Sequence, residues 1–429
     1  MMCNYGKTFK KLTSMDGITY YVQSMMDISM MPKVALIVRA GSMMEEYHEL
    51  GLSHFLEHML VDKLKYPIHN NHIVSGHAYT NFHETVYFFY NCTRKEDDTY
   101  FIFECMNAIN EILSGTELNP DSMERVRRDV QNEHLISGVG KESALKELFT
   151  DNHPNIHLSI GDISLINAFS YDDVLNYHRK WYTPNNAAII IESNLEVNKI
   201  ESFIYNQNAK LQISPLNKSY LENNGNKKWS CMSGVKERYD ENIVRPTLYF
   251  ISKYHRLISS PKKYMESLVN LELAQEAFKL VMSNYFSSQG MQYCDIDGTV
   301  ELFTNDWYLI RFKITIDKDI TEINDIIHYL KLMEIDQIIF YKAKEIYHQK
   351  IGERTKDYLA YGKDFFINEC IQNFLFSEPI LDLIDEINFA HNAIDKASFK
   401  NVQKCFNYVK NNCVLMHQQK SSGNVCDGN

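Results

Sequence analysis

No stretch of this chain holds the roughly 18 consecutive apolar residues that a membrane-spanning helix requires. Met1 to Lys11 has no charged region followed by an apolar core, so no secretory leader is expected there. The nine cysteines are scattered without a Cys-x-x-Cys pair, which points to reduced thiols in a cytoplasm and not to a disulfide framework. Basic charge is also short. Against 44 Lys and Arg stand 55 Asp and Glu, a net charge of −11 at pH 7, and phosphate recognition needs clustered cations, so a nucleic-acid partner is excluded. An acidic chain favours basic or neutral ligands, and no serine or cysteine nucleophile is signalled by its surroundings.

What is present is His54-Phe55-Leu56-Glu57-His58. Residues i and i+4 share one face of a helix, so the imidazoles of His54 and His58 can converge on one metal ion with Glu57 beside it. The order is the reverse of the commoner zinc-protease helix and is itself a zinc-protease signature. Leu52, Phe55, Leu56, Met59 and Leu60 recur at helical spacing and supply an apolar face to bury. Ahead of them, Val34 to Arg39 reads as a buried strand closed by Ala40 and Gly41. The other histidines near the motif, His48, His69, His72 and His83, read as solvated loop residues.

At 429 residues the chain exceeds one ordinary core and is expected to form two domains. A polar stretch without periodicity, residues 207–229, separates an N-terminal domain (1–206) from a C-terminal one (230–429). Ser170-Tyr171-Asp172-Asp173-Val174 recurs as Ser398-Phe399-Lys400-Asn401-Val402, and each copy leads through a helical stretch and paired asparagines into an apolar strand. A repeat that long implies duplication of a domain. Within each half, strands alternate with helical runs, which predicts an α+β fold of two related domains, each a mixed or antiparallel sheet with helices packed on it. In the second half, Thr247 to Lys253 and Trp307 to Ile316 are the clearest strands, and Tyr264 to Asn284 and Glu322 to Lys350 the clearest helical stretches. That half has no second His-x-x-Glu-His, so its role is expected to be structural and substrate-enclosing.

Four ordered landmarks carry a resemblance: Ala40-Gly41-Ser42; Gly51-Leu52-Ser53 running into the histidine motif; Ala78-Tyr79-Thr80 followed by Glu84-Thr85-Val86-Tyr87; and Tyr182-Thr183-Pro184-Asn185-Asn186 before an apolar strand. Together they resemble the pitrilysin family of zinc metallopeptidases, to which insulin-degrading enzyme and the mitochondrial processing peptidase belong. In the C-terminal half the likeness rests on Gly290-Met291-Gln292-Tyr293 and on layout. The resemblance implies a third zinc ligand on a later helix. Glu133, with 74 residues between it and His58, stands at that spacing, and Glu124 and Asp129 are its neighbours and competitors. It also implies one zinc ion per chain, with Glu57 as the base that takes a proton from water and returns it to the leaving amine.

For substrate, the resemblance implies an edge strand, His77-Ala78-Tyr79-Thr80, that takes up a peptide as an added strand, together with Tyr293 from the second half. Three positions depart from the pattern: Val126 replaces a glutamate seven residues before Glu133, Phe286 replaces an arginine seven residues before Tyr293, and His77 replaces an asparagine. The expected function is a zinc endopeptidase acting on short or unfolded peptides. The alternative is a non-catalytic or weakly active subunit that binds peptide for a related protease. A homodimer, or a heterodimer with a related two-domain chain, is the expected assembly.

Overall fold

The structure, a computed structural model, describes residues 9–25, 31–61, 74–91, 98–116, 118–136, 159–207, 235–240, 245–256, 260–290, 294–317, 323–361 and 364–420. Tyr293 and nearly all of the 207–229 stretch lie outside them. The chain forms two compact units, the first built from Met1–Lys146, Asp151–Lys228 and Asp364–Asp382, the second from Glu147–Thr150, Trp229–Lys363 and Leu383–Asn429.

The first unit contains strands β1 (Phe9–Thr13), β2 (Thr19–Ser24) and β3 (Lys33–Val38), helix α1 (Leu52–Val61), strands β4 (Val74–Thr80) and β5 (Thr85–Asn91), helices α2 (Asp98–Ser114), α3 (Met123–Ile136), α4 (Ile163–Ala168) and α5 (Tyr171–Trp181), strand β6 (Ala187–Ser193) and helix α6 (Val197–Gln207). The second contains β7 (Val235–Asp240), β8 (Thr247–His255), α7 (Pro261–Ser288), β9 (Cys294–Thr304), β10 (Trp307–Ile316), α8 (Ile323–Leu332) and α9 (Gln337–Tyr361). Helix α10 (Phe365–Phe376) returns to the first unit, and α11 (Leu383–Lys396), α12 (Phe399–Asn411) and β11 (Val414–Lys420) complete the second.

Both sheets share one topology. The first has the order β1-β2-β6-β3-β5-β4 and the second β7-β11-β8-β10-β9, so the second repeats the first without its outermost strand. In each, the last strand runs parallel to the first strand of the repeat and antiparallel to the next: β6 beside β2 and β3, β11 beside β7 and β8. Ser170 caps α5 and Ser398 caps α12, each accepting a backbone N–H from the third residue on, and each helix feeds the parallel strand. The serine repeat in the sequence is therefore a structural repeat. The helical stretch expected over Glu322 to Lys350 is two helices, because the Asp336 side chain accepts the N–H of Ile339 and starts α9 afresh.

Alternation along the first sheet sorts its side chains onto two faces. Tyr20, Val22, Val34, Leu36, Tyr87, Phe89, Ile189 and Ile191 bury against α1, α2, α3 and α5. Tyr21, Ala35, Ile37, Val86, Phe88 and Ile190 point the other way and are covered by Phe366, Ile367, Cys370 and Ile371 of α10. With both faces covered, β3 and β6 read as unbroken apolar runs.

Helix α1 lies on the first face through Leu52, Phe55, Leu56, Met59 and Leu60, all nearly or fully buried. Its N-terminus is held by a carboxylate that the sequence does not advertise. Glu45, fully buried, accepts the N–H of Gly51 at 2.9 Å through one oxygen, and the N–H and hydroxyl of Ser53 at 2.8 and 2.6 Å through the other. Two of these donors are backbone N–H groups at the start of α1, which a helix cannot satisfy itself. Gly51 and Gly161 pack backbone to backbone at positive φ (99° and 80°), where a Cβ on either would strike the other.

Burial raises the Glu45 carboxyl to about 8, against the three donors that lower it. The folded chain therefore keeps a proton that the unfolded chain releases near the ordinary value of 4.5, and the stability this contributes falls as pH rises through that interval. Glu45→Gln should lower unfolding stability by about 1–3 kcal/mol, since an amide turns its NH2 on a donor, and should flatten the pH dependence between pH 5 and pH 8 in urea titrations. A variant as stable as wild type with an unchanged pH profile would show that the cap is not needed.

Candidate metal centre

Helical geometry places His54 and His58 one turn apart on the surface-facing side of α1. Their Nε2 atoms are 3.1 Å apart, while the ring centroids are 4.7 Å apart and the rings stand at 85°. The nitrogen tips thus lean together and their lone pairs converge.

Helix α3 brings the third group. Asn119 caps the turn that precedes it, accepting the N–H of Asp121, with Pro120 at the first position. Val126 and Val130 are buried in the core, and Arg127 donates to the carbonyls of Ile166 and Phe169. One turn beyond Val130, Glu133 puts Oε2 at 3.3 Å from His54 Nε2 and 3.4 Å from His58 Nε2. Among the described residues, these three form the one group with metal-ligand geometry. Asp129 instead faces Arg125 at 3.7 Å, and Glu124 meets Arg127 at 3.3 Å. His134 follows Glu133 but is not part of the cluster.

The donor set fits a zinc ion. Zinc bonds nitrogen and carboxylate oxygen at about 2.0–2.2 Å in a tetrahedron, which sets ligand atoms roughly 3.3 Å apart; the three separations here are 3.1, 3.3 and 3.4 Å. The electrostatics agree with that use. Burial, then the neighbouring His54, holds His58 below its usual range and keeps it neutral, while hydrogen bonding to His54 lowers Glu133 and keeps it ionised. Among the described residues, His54 Nδ1 is buried with no hydrogen-bond partner.

Glu57 lies beside the cluster and is 7 % exposed. Burial raises its carboxyl, opposed by His54 and by the hydrogen bond from Thr80. That bond, Thr80 Oγ1 to Glu57 Oε2 at 2.8 Å, comes from the end of β4. Thr80 in turn touches Thr85 Oγ1 at 3.1 Å, and Thr85 donates to the carbonyl of Ala40 at 2.8 Å. A short hydroxyl chain thus ties Glu57 to the loop before α1, and this role of Thr80 and Thr85, like that of Glu45, escaped sequence reasoning. The signal was in the Thr-x-x-x-x-Thr spacing of a tight hairpin, which sets the two threonines opposite each other.

Among the described residues, β4 is the last strand of its sheet. Ala78 packs toward α1 and Thr80 reaches Glu57, whereas His77 and Tyr79 turn to the opposite face. His77 stacks on Phe88 there, so its ring does not meet the metal cluster. Two departures from the family pattern are buried apolar residues: Val126 is 1 % exposed within the first unit's core, and Phe286 is fully buried in α7.

Comparison with known proteins follows the same lines. The profile of "Insulinase (Peptidase family M16)" matches residues 22–152, and that of "Peptidase M16 inactive domain" matches residues 168–247. A probable zinc protease PqqL of Haemophilus influenzae is 25 % identical over 225 residues, covering 48 % of this chain and 23 % of that protein. The chloroplastic stromal processing peptidase of Pisum sativum is 27 % identical over 176 residues, covering 38 % of this chain and 14 % of its own length. The matched part thus spans less than a quarter of either relative. The crystal structure of the periplasmic protease PqqL from Escherichia coli superposes with a TM-score of 0.71 at 12 % identity over 97 % of this chain and 48 % of that one. A protease from Helicobacter pylori gives 0.68 at 15 % identity over 96 % and 99 %. Two consecutive profiles, relatives named as zinc proteases and a shared fold lead to one conclusion: the chain belongs to the insulinase, or pitrilysin, family of M16 peptidases.

Proposed function

We propose that this chain is a zinc-dependent endopeptidase acting on short or unfolded peptides. The observation that carries this reading is the convergence of His54 Nε2, His58 Nε2 and Glu133 Oε2 within 3.4 Å of one another, with the buried Glu57 carboxylate adjoining them. In this reading His54, His58 and Glu133 hold the ion. When bound, zinc supplies the Lewis acidity that acidifies a water molecule and polarises a carbonyl group.

The remaining work falls to the protein's own groups. Glu57 receives a proton from the attacking water and passes it to the departing amine nitrogen, a task for which a carboxyl raised by burial is suited. Thr80 holds Oε2, which leaves Oε1 to carry that proton. The edge of β4, beyond which no described strand pairs, offers main-chain donors and acceptors to an extended peptide, and small Ala78 permits close approach.

Substrate enclosure is proposed to need a second chain, a second copy or a related one. Phe286 is sealed in the second unit's core and offers no charge where the resembling enzymes place an arginine, so that charge would come from elsewhere. Free thiols at Cys105, Cys294, Cys370, Cys405 and Cys413 suit a reducing compartment such as the cytoplasm.

Purified protein should hold about one zinc per chain, and His58→Ala should lose most of it, because removing one of three ligands opens the site to water. Atomic absorption on both proteins decides the matter; full occupancy in the variant would overturn the ligand assignment. Glu57→Gln should keep its zinc while peptide cleavage falls by at least about 100-fold. A variant cleaving at near wild-type rate would place the base elsewhere. Sedimentation should show a dimer, and activity per chain should drop on dilution below its dissociation constant. A fully active monomer would remove the case for a second chain.

A further inference from the structure

The departure at His77 is resolved by the row of side chains it ends. On the face of the first sheet away from the metal cluster, Tyr21, Ile190, Ala35, Phe88 and His77 stand directly opposite one another across β2, β6, β3, β5 and β4. His77 and Phe88 are face to face, with centroids 4.5 Å apart and an interplanar angle of 7°. Tyr90 lies parallel to both, 5.6 Å from His77 at 10° and 6.1 Å from Phe88 at 4°.

The 4.5 Å separation nearly equals the distance between neighbouring strands, about 4.8 Å. The rings are therefore stacked along the direction in which strands add to a sheet. Strand β4 is the last in that direction, and His77 is exposed. The outer face of its imidazole is turned toward the place where the next strand would lie. Partial desolvation by the stack, outweighing the nearby Asp364, holds His77 below its usual range, so the stacked ring is neutral at pH 7.

We propose that His77 forms a subsite selective for an aromatic side chain in the bound peptide. The inference rests on the reading that peptide is taken up along β4, and it names which substrates that mode prefers. The peptide residue directly opposite His77, pointing to the same face, adds a ring to the Phe88–His77 stack. Offset-stacked aromatic pairs gain more than their buried area alone provides, whereas a branched aliphatic side chain gains only area. An asparagine at this position would present an amide and no such surface.

The test uses the full chain carrying Glu57→Gln and loaded with zinc, so that binding is read without cleavage. Fluorescein-labelled octapeptides of Ala, Ser and Lys carry a single Phe, Tyr, Trp, Leu or Arg at each position in turn, and anisotropy gives their dissociation constants. One position is expected at which the three aromatics bind roughly 2- to 10-fold tighter than Leu. That preference should vanish in His77→Ala and His77→Asn and persist in His77→Phe. All three substitutions change an exposed side chain, and thermal melts verify that each variant is folded. Binding with equal affinity for Phe and Leu at every position, or a preference that survives His77→Ala, would overturn the subsite while leaving peptide capture intact. A preference for Arg without one for aromatics would assign the attraction to Asp364 and equally overturn it. Failure of every peptide to bind any variant would refute the underlying edge-strand reading, and the subsite with it.

Discussion

A single buried carboxylate determines where the two imidazoles point. Glu45 enters the interior with α1, and its three accepted hydrogen bonds consume N–H and O–H groups that would otherwise be stranded there. Those bonds fix the first turn of α1 against the sheet, and everything at the cluster is measured from that turn: His54 is the next residue after Ser53, and His58 lies one turn on. The other groups have their own anchors. Glu133 is set by Arg127 and the buried Val126 and Val130 on α3, and Glu57 by the threonine pair of the β4–β5 hairpin. Three elements, each pinned by contacts outside the cluster, are what a preorganised site requires.

Duplication leaves a cluster with metal-ligand geometry in the first unit, and none among the described residues of the second. In the strand order, α1 and α7 occupy the same step, after β3 and after β8. The first is a ten-residue helix with His54 and His58 on its outer side. The second is a 28-residue helix whose last turn buries Phe286. The shared part of the two units is the sheet and the serine-capped helix that feeds its parallel strand, where backbone hydrogen bonding imposes the constraint. The helix between the third and last positions of the sheet is free to vary because it only needs one apolar stripe. Val126 belongs to the same logic: at a position where a carboxylate could support the metal ligands, this chain has invested in core packing.

By itself the sequence determined what is local or periodic. The helix of the histidine motif was readable from its apolar spacing, the convergence of His54 and His58 from the i,i+4 rule, strands such as β3 from a short apolar run, and the duplication from two similar segments, each leading through a helical stretch into an apolar strand. It also bounded the candidate third ligand to one short helix, through a likeness in spacing. What it could not determine were contacts between residues distant along the chain. The cap by Glu45 depends on a loop folding back on α1, and the approach of Glu133, not Asp129 or Glu124, to the two imidazoles depends on the rotation of α3 about its axis, which Arg127 and the buried valines set. The placement of α10 in the first unit, over sheet residues from Tyr21 to Ile190 that lie far earlier in the chain, has no local signal at all. His77 shows the same division. Its position in an edge strand was legible, but its side depends on a pleat register that only pairing with β5 decides, and a shift of one residue would have turned the ring toward the metal cluster.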